Sequence, residues 1–240
     1  MPSARELYAA GRLDAAIETL GAELRDNPTD AQRRVFLFEL LALAGQYDRA
    51  EKQLDVIARG GEKAEMGTML YRSAIEAERV REHMFASGDY PSAAAPGPVA
   101  GTRDGQSFLE IEDGDPRLGA RLEVIAGGRY LWIPFAHVAS VRIEAPTRLR
   151  DVRWLPARIA TNASVRDLEL GEVLLPALTA GAQRHTDPEI RLGKATDWEE
   201  LPNDGGFAPV GQKVWRIDGE YVPLLQIRDL TVTPAPEPVA

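Results

Sequence analysis

A self-match at an offset of 34 residues constrains this chain more than any other feature of its sequence. Ala10-Gly11-Arg12-Leu13-Asp14-Ala15-Ala16 aligns with Ala44-Gly45-Gln46-Tyr47-Asp48-Arg49-Ala50, and Leu20 aligns with Leu54. The spacing is that of the tetratricopeptide repeat, a pair of antiparallel helices. Each position has a physical task. The glycine permits the tight turn, Leu13 or Tyr47 packs into it, and Asp14 or Asp48 suits the positive end of the next helix. Ala16 or Ala50 is small where two helices approach. Asn27-Pro28 ends one helix and Thr29-Asp30 can cap the next, which carries Val35, Phe36, Leu37, Phe38, Leu40, Leu41 and Leu43. A third helix is predicted over Glu62–Ser87, followed by a weaker echo, Gly88-Asp89-Tyr90. Two aligned repeats are fewer than the roughly three a free-standing stack needs. The helices are therefore expected to pack on one another's ends, on the rest of the chain, or on a partner.

Past residue 100 the pattern changes. Ala, Leu, Glu and Arg give way to β-branched residues, Gly and Pro, and the apolar period shortens toward two. Residues 120–126 and 129–135 flank Gly127-Gly128, and residues 213–217 and 220–227 flank Asp218-Gly219, both strong hairpin signals. Further strands are predicted at 140–143, 155–161, 165–175 and 231–233. The fold class is α+β: N-terminal TPR-like helical hairpins over 1–88, a Pro-rich linker over 89–101, and a mainly antiparallel β domain over 102–233. That domain is expected to be a small barrel or a strongly bent sheet, and 234–240 a disordered tail.

The net charge of −9, from 28 basic against 37 acidic residues, argues against nucleic acid or an anionic membrane as partner. There is no cysteine, which excludes disulfides, thiolate nucleophiles and Cys-ligated metals. No run reaches the roughly 18 apolar residues of a membrane span, and the first residues lack a secretory apolar stretch, so a cytoplasmic location is expected.

The chemical inventory is sparse. None of the three histidines, His83, His137 and His185, is paired in sequence with a nucleophile motif. His185-x-Asp187-x-Glu189 offers three metal-ligand types in what reads as a solvated loop. Glu110, Glu112, Asp113 and Asp115 lack calcium-loop spacing, so a polar turn with Asp side chains bonding local amides is expected. Gly193-Lys194 lacks the upstream Gly and following Ser/Thr of a phosphate loop, because Pro188 and Ala195 occupy those places. The reading is an adaptor and not an enzyme, with no cofactor and no metal. Arg33, Arg34, Phe36 and Phe38 crowd one helix, and Trp132, Trp154, Trp198 and Trp215 are spread through the β half. Most of the apolar members are expected in the core, leaving part of the set to face a partner. The alternative is a ligand-binding β domain or hydrolase that uses the helices as an oligomerisation arm. It requires a deep pocket at His137 or His185 with a carboxylate in hydrogen-bond reach.

Segments in order along nearly the whole chain resemble the ImpE/TagJ family of type VI secretion accessory proteins. They include Arg33-Arg-Val-Phe-Leu-Phe-Glu-Leu-Leu41, Asp113-x-Asp115-x-Arg117-Leu118, Gly128-Arg-Tyr-Leu-Trp-Ile-Pro-Phe135, Arg150-Asp-Val-Arg-Trp154 and Arg191-Leu-Gly-Lys-Ala-Thr-Asp-Trp198. The resemblance implies a cytoplasmic component that associates with the contractile sheath through the N-terminal helix of its small subunit, and bears on the sheath-disassembling ATPase. It carries over no catalytic residue. On this reading Arg34, Phe38 and Glu39 are the expected partner contacts.

Overall fold

The computed structural model describes residues 2–91, 97, 99–163, 165, 170–202 and 205–233. Most of the predicted linker core (92–96 and 98), residues 166–169 of the strand predicted at 165–175, and the predicted tail lie outside them. Five helices come first: α1 Ala4–Ala9, α2 Leu13–Asp26, α3 Ala31–Leu43, α4 Tyr47–Ala58 and α5 Glu62–Ser87. Local chemistry sets their ends. Ser3 and Glu6 form a capping box on α1, and the Asp30 carboxylate accepts the Arg33 N–H at 2.9 Å to start α3. No helix among the described residues is long and apolar enough to cross a membrane.

The repeat glycines do more than turn. Gly11 and Gly45 take φ +75° and +68°, and a Cβ on either would stand 2.8 Å from Pro188 Cβ or Gln183 Cγ respectively. Both inter-helix turns therefore press against one segment of the β half, which includes the single helical turn α6, Pro188–Arg191.

Among the described residues thirteen strands follow. β1 Gly101–Arg103, β2 Gln106–Phe108 and β3 Ile111–Asp113 precede the hairpin of β4 Arg121–Ala126 and β5 Arg129–Pro134. Then come β6 Val138–Ile143, β7 Trp154–Thr161, β8 Gly171–Pro176, β9 Thr196–Glu200 and β10 Phe207–Gly211. β11 Val214–Ile217, β12 Glu220–Pro223 and β13 Asp229–Val232 end the series. Eight strands form one antiparallel sheet in the order β2-β1-β13-β6-β7-β8-β4-β5, while β10-β9 and β12-β11-β3 form two small sheets. The large sheet is bent and not closed into a barrel. Both predicted hairpins form in the expected register, Ala126 opposite Arg129 and Ile217 opposite Glu220. In the second, the strand stops at Pro223 and continues as a 3-10 turn.

The period-two alternation splits the sheet between two cores. Ile125, Trp154 and Leu174 point into the core of the helices, whereas their neighbours Val124, Leu155, Val173 and Leu175 point into the second core with Phe135 and Trp215. The helices thus close on one face of the sheet, one of the packings open to an incomplete repeat array.

Helix α5 carries the joint between the halves. Arg81, 1% exposed, donates to Glu123 of β4 at 2.7 and 3.1 Å and to the Leu178 carbonyl at 3.0 Å. Lys213 also donates to Glu123 and lies 2.8 Å from Asp113 Oδ2. One turn back on α5, Glu78 accepts from Arg153 and from Trp154 Nε1, both at 3.3 Å. Burial pushes the Asp113 carboxyl upward even beside Lys213. Burial also acts to raise Glu123, but the fields of Arg81 and Lys213 outweigh it and hold that group below the ordinary carboxylate range. Removing one member strands the others in a dry interior. Glu123→Ala should cost about 3–5 kcal/mol in urea unfolding. Arg158→Ala, which breaks an exposed pair with Glu172, should cost no more than about 0.5 kcal/mol.

Candidate partner-binding groove

A concavity of about 920 Å³ opens where the helices meet the loop before β7. One wall is α3, which contributes Val35, Phe36, Phe38 and Glu39; the other is Leu54 and Ile57 of α4 with Thr68 and Tyr71 of α5. Arg5 and Tyr8 of α1 stand at one end and 147–150 at the other. The 3.6-residue period places this face of α3 inward, and α4 with α5 supplies the facing apolar surface.

Polar groups in the groove are mostly committed. Arg150 donates to Glu39 at 2.7 Å and to the Tyr71 hydroxyl at 2.7 Å, and its guanidinium lies 4.9 Å from the centre of the Tyr71 ring. Burial raises Glu39 despite the opposing pull of Arg150. Phe38 packs between Tyr71, at 5.6 Å between ring centres, and Trp154 at 6.5 Å. Phe36 meets Tyr8 edge-on at 6.3 Å, with Arg5 over its ring at 4.8 Å. The surface offers apolar contact and aromatic faces with few unpaired charges, which suits the apolar stripe of an amphipathic helix.

The three residues singled out from the sequence are distributed unequally. Phe38 and Glu39 line the groove; Phe38 is only 2% exposed, and Glu39 is held by Arg150. Arg34 does not line it, and instead donates to Gln53 at 2.9 Å and to the Pro28 carbonyl at 2.6 Å. Sequence reasoning missed Tyr71 and Arg150. Neither belongs to the repeat match, and only the fold brings residue 150 to α3; an Arg-x-x-Arg-Trp run entering an apolar strand was the available signal.

The histidines stand apart from this site. His83 is exposed, and His137 is half-buried. His185 Nε2 lies 3.7 Å from Asp197, and its Nδ1 accepts the Asp187 N–H. Asp187 itself caps α6, and Glu189 pairs with Lys194 at 2.8 Å. Among the described residues no group of three or more His, Asp or Glu side chains is arranged to hold a metal.

Comparison with known proteins fits the two halves separately. The ImpE protein family model matches residues 105–231 and a tetratricopeptide repeat model matches 7–70. Across 96% of this chain and 91% of its own length, the type VI secretion system accessory component TagJ of Pseudomonas aeruginosa is 34% identical. The chain belongs to the ImpE/TagJ family. A crystal structure of protein VPA1032 from Vibrio parahaemolyticus shares the fold with a TM-score of 0.84 at 21% identity, over 97% of this chain and 98% of that one. In ImpE terms, Asp113, Glu123, Arg150, Arg153 and Lys213 fall within the family match, and the α3 wall of the groove falls within the repeat match. Tyr71, Glu78 and Arg81 lie between the two matches.

A substitution pair separates the structural share of the wall from its surface share. Phe38→Ala should lower stability by about 3–5 kcal/mol in chemical denaturation, because it empties a buried aromatic site. Arg34→Ala should change it by no more than about 1 kcal/mol, the ordinary range for a surface hydrogen-bonding side chain.

Proposed function

We propose that this ImpE-family chain is a non-catalytic accessory component of a bacterial type VI secretion system. It acts in the cytoplasm as an adaptor, holding a helical segment of a protein partner in the groove lined by its TPR-like helices. The partner segment is the N-terminal helix of the small contractile-sheath subunit, and capture of that segment bears on the sheath-disassembling ATPase. The observation that carries the reading is the groove itself, apolar-walled and lined largely by the segment that the tetratricopeptide repeat model matches. The 34% identity to TagJ supports the secretion-system role. Phe38 forms the floor, the Glu39–Arg150 pair fixes one end, and Val35 and Ile57 supply side chains that a helix would cover. Arg34 contributes from the flank of α3.

Calorimetric titration with a peptide of the small sheath subunit's N-terminal helix is the test. Wild-type protein should bind it at tens of micromolar or tighter. Val35→Glu and Ile57→Glu each place a charge against the covered apolar stripe, and each should weaken binding by about tenfold or more. Absence of wild-type binding in that range, or variants that bind like wild type, would overturn the proposal.

A further inference from the structure

One guanidinium ties two helices of the groove to the sheet half. Arg150 Nη1 donates to Glu39 of α3 at 2.7 Å, and its Nε donates to the Tyr71 hydroxyl of α5 at 2.7 Å. α4 packs against both of these helices. α3 and α5 themselves meet where the Phe38 and Tyr71 rings lie 5.6 Å apart, and Arg150 spans the same junction.

The backbone that carries this guanidinium is itself anchored. The buried Asp151 carboxylate accepts the Thr147 and Arg148 N–H groups at 2.9 and 2.8 Å. Leu149 packs against the core of the helices, and Arg153, three residues on, donates to Glu78 of α5 at 3.3 Å. Position 150 is therefore held from both sides, and its side chain reaches out from a fixed base.

A buried ion pair between the halves can simply join them, as Arg81 and Glu123 do in the closed interior. Arg150 differs because Arg150, Glu39 and Tyr71 all line the groove, so the place where the guanidinium holds them shapes the opening. A planar fork with donors at fixed angles can hold two acceptors in set positions. A lysine ammonium, a compact charge on a flexible stem, can neutralise Glu39 without reproducing that geometry.

We propose that Arg150 is the positioning residue of the groove, setting the separation of α3 from α5 and hence the fit of a helix between the walls. The fit to a partner rests on the adaptor reading above; the separation does not.

Nitroxide labels report the separation directly. The chain holds no cysteine, so Arg33→Cys/Met69→Cys supplies the two label sites, one on each helix and neither lining the groove. Pulsed electron double resonance on the full chain should give one narrow distance distribution. Arg150→Lys keeps a charge beside Glu39, should melt near wild type by circular dichroism, and should broaden the distribution and shift its mean. Tyr71→Phe, which removes one of the two hydrogen bonds and no charge, should do the same to a smaller extent. In the unlabelled chain Arg150→Lys should weaken calorimetric binding of the sheath-subunit peptide about tenfold, because the walls are no longer preorganised. Val232→Ala opens a small cavity in the second core, and should lower the melting temperature while leaving distance and affinity unchanged. Distributions like wild type in both Arg150→Lys and Tyr71→Phe overturn the proposal. So does an altered distribution with wild-type affinity, or a Val232→Ala chain that changes the distance as much, since general loosening then accounts for it. If the distances change as expected but the wild-type chain binds no peptide, the positioning role stands and the adaptor reading fails.

Discussion

The Arg81–Glu123 contact is the point on which the rest of the structure turns. Both side chains are fully withdrawn from water, one from the last helix of the repeat half and the other from the middle of a sheet strand. A buried ion pair gains little net stability, since desolvation consumes much of its attraction. Its larger consequence is selectivity. Sliding α5 by one turn along the sheet would leave Arg81 dry and unpaired and take from Glu123 one of its two cations, at a cost of several kcal/mol. Apolar packing alone would tolerate such a slip far better. Glu78 and Arg153 repeat the arrangement one turn away, so two points along α5 are pinned and its seating on the sheet is determined.

That seating produces the groove. Two TPR-like hairpins have too little surface to enclose a partner segment on their own. Here the sheet half supplies what a third repeat would. Trp154 backs Phe38, and Arg150 reaches over Tyr71 to Glu39, so one end of the concavity comes from residues more than a hundred positions away in sequence. The turns at Gly11 and Gly45 add a second line of contact to the same half. The helices therefore keep their mutual angles by leaning on the sheet, in place of the neighbouring repeats of a longer array.

Much of this architecture was legible because it is local. The repeat echo, the Gly127-Gly128 and Asp218-Gly219 turns, and the bounds of α5 follow from backbone preferences that act over a few residues. Strands β1–β3 and β9–β10 escaped because they are short, and in β9 Asp, Glu and Glu interrupt the alternation. The buried charges were hidden for a different reason. Asp113 reads as a residue of a polar turn, and its Oδ1 does accept the Asp115 N–H, yet its other oxygen faces Lys213 in the interior. Glu123 sits in an otherwise apolar strand run, a signal that a partner of opposite charge must arrive from elsewhere. Which residue arrives is a property of the tertiary fold. The groove was half visible: its α3 wall lies in the repeat, whereas Tyr71 and Arg150 join it only after folding.

The groove's recognition chemistry follows from where its charge goes. Glu39 and Arg150 cancel each other within hydrogen-bonding distance, so little field reaches solvent. Affinity there would arise from apolar contact and shape, which salt barely screens. Differences in affinity at such a surface fall on the rate of escape, because buried apolar contact governs escape while long-range attraction governs the rate of encounter.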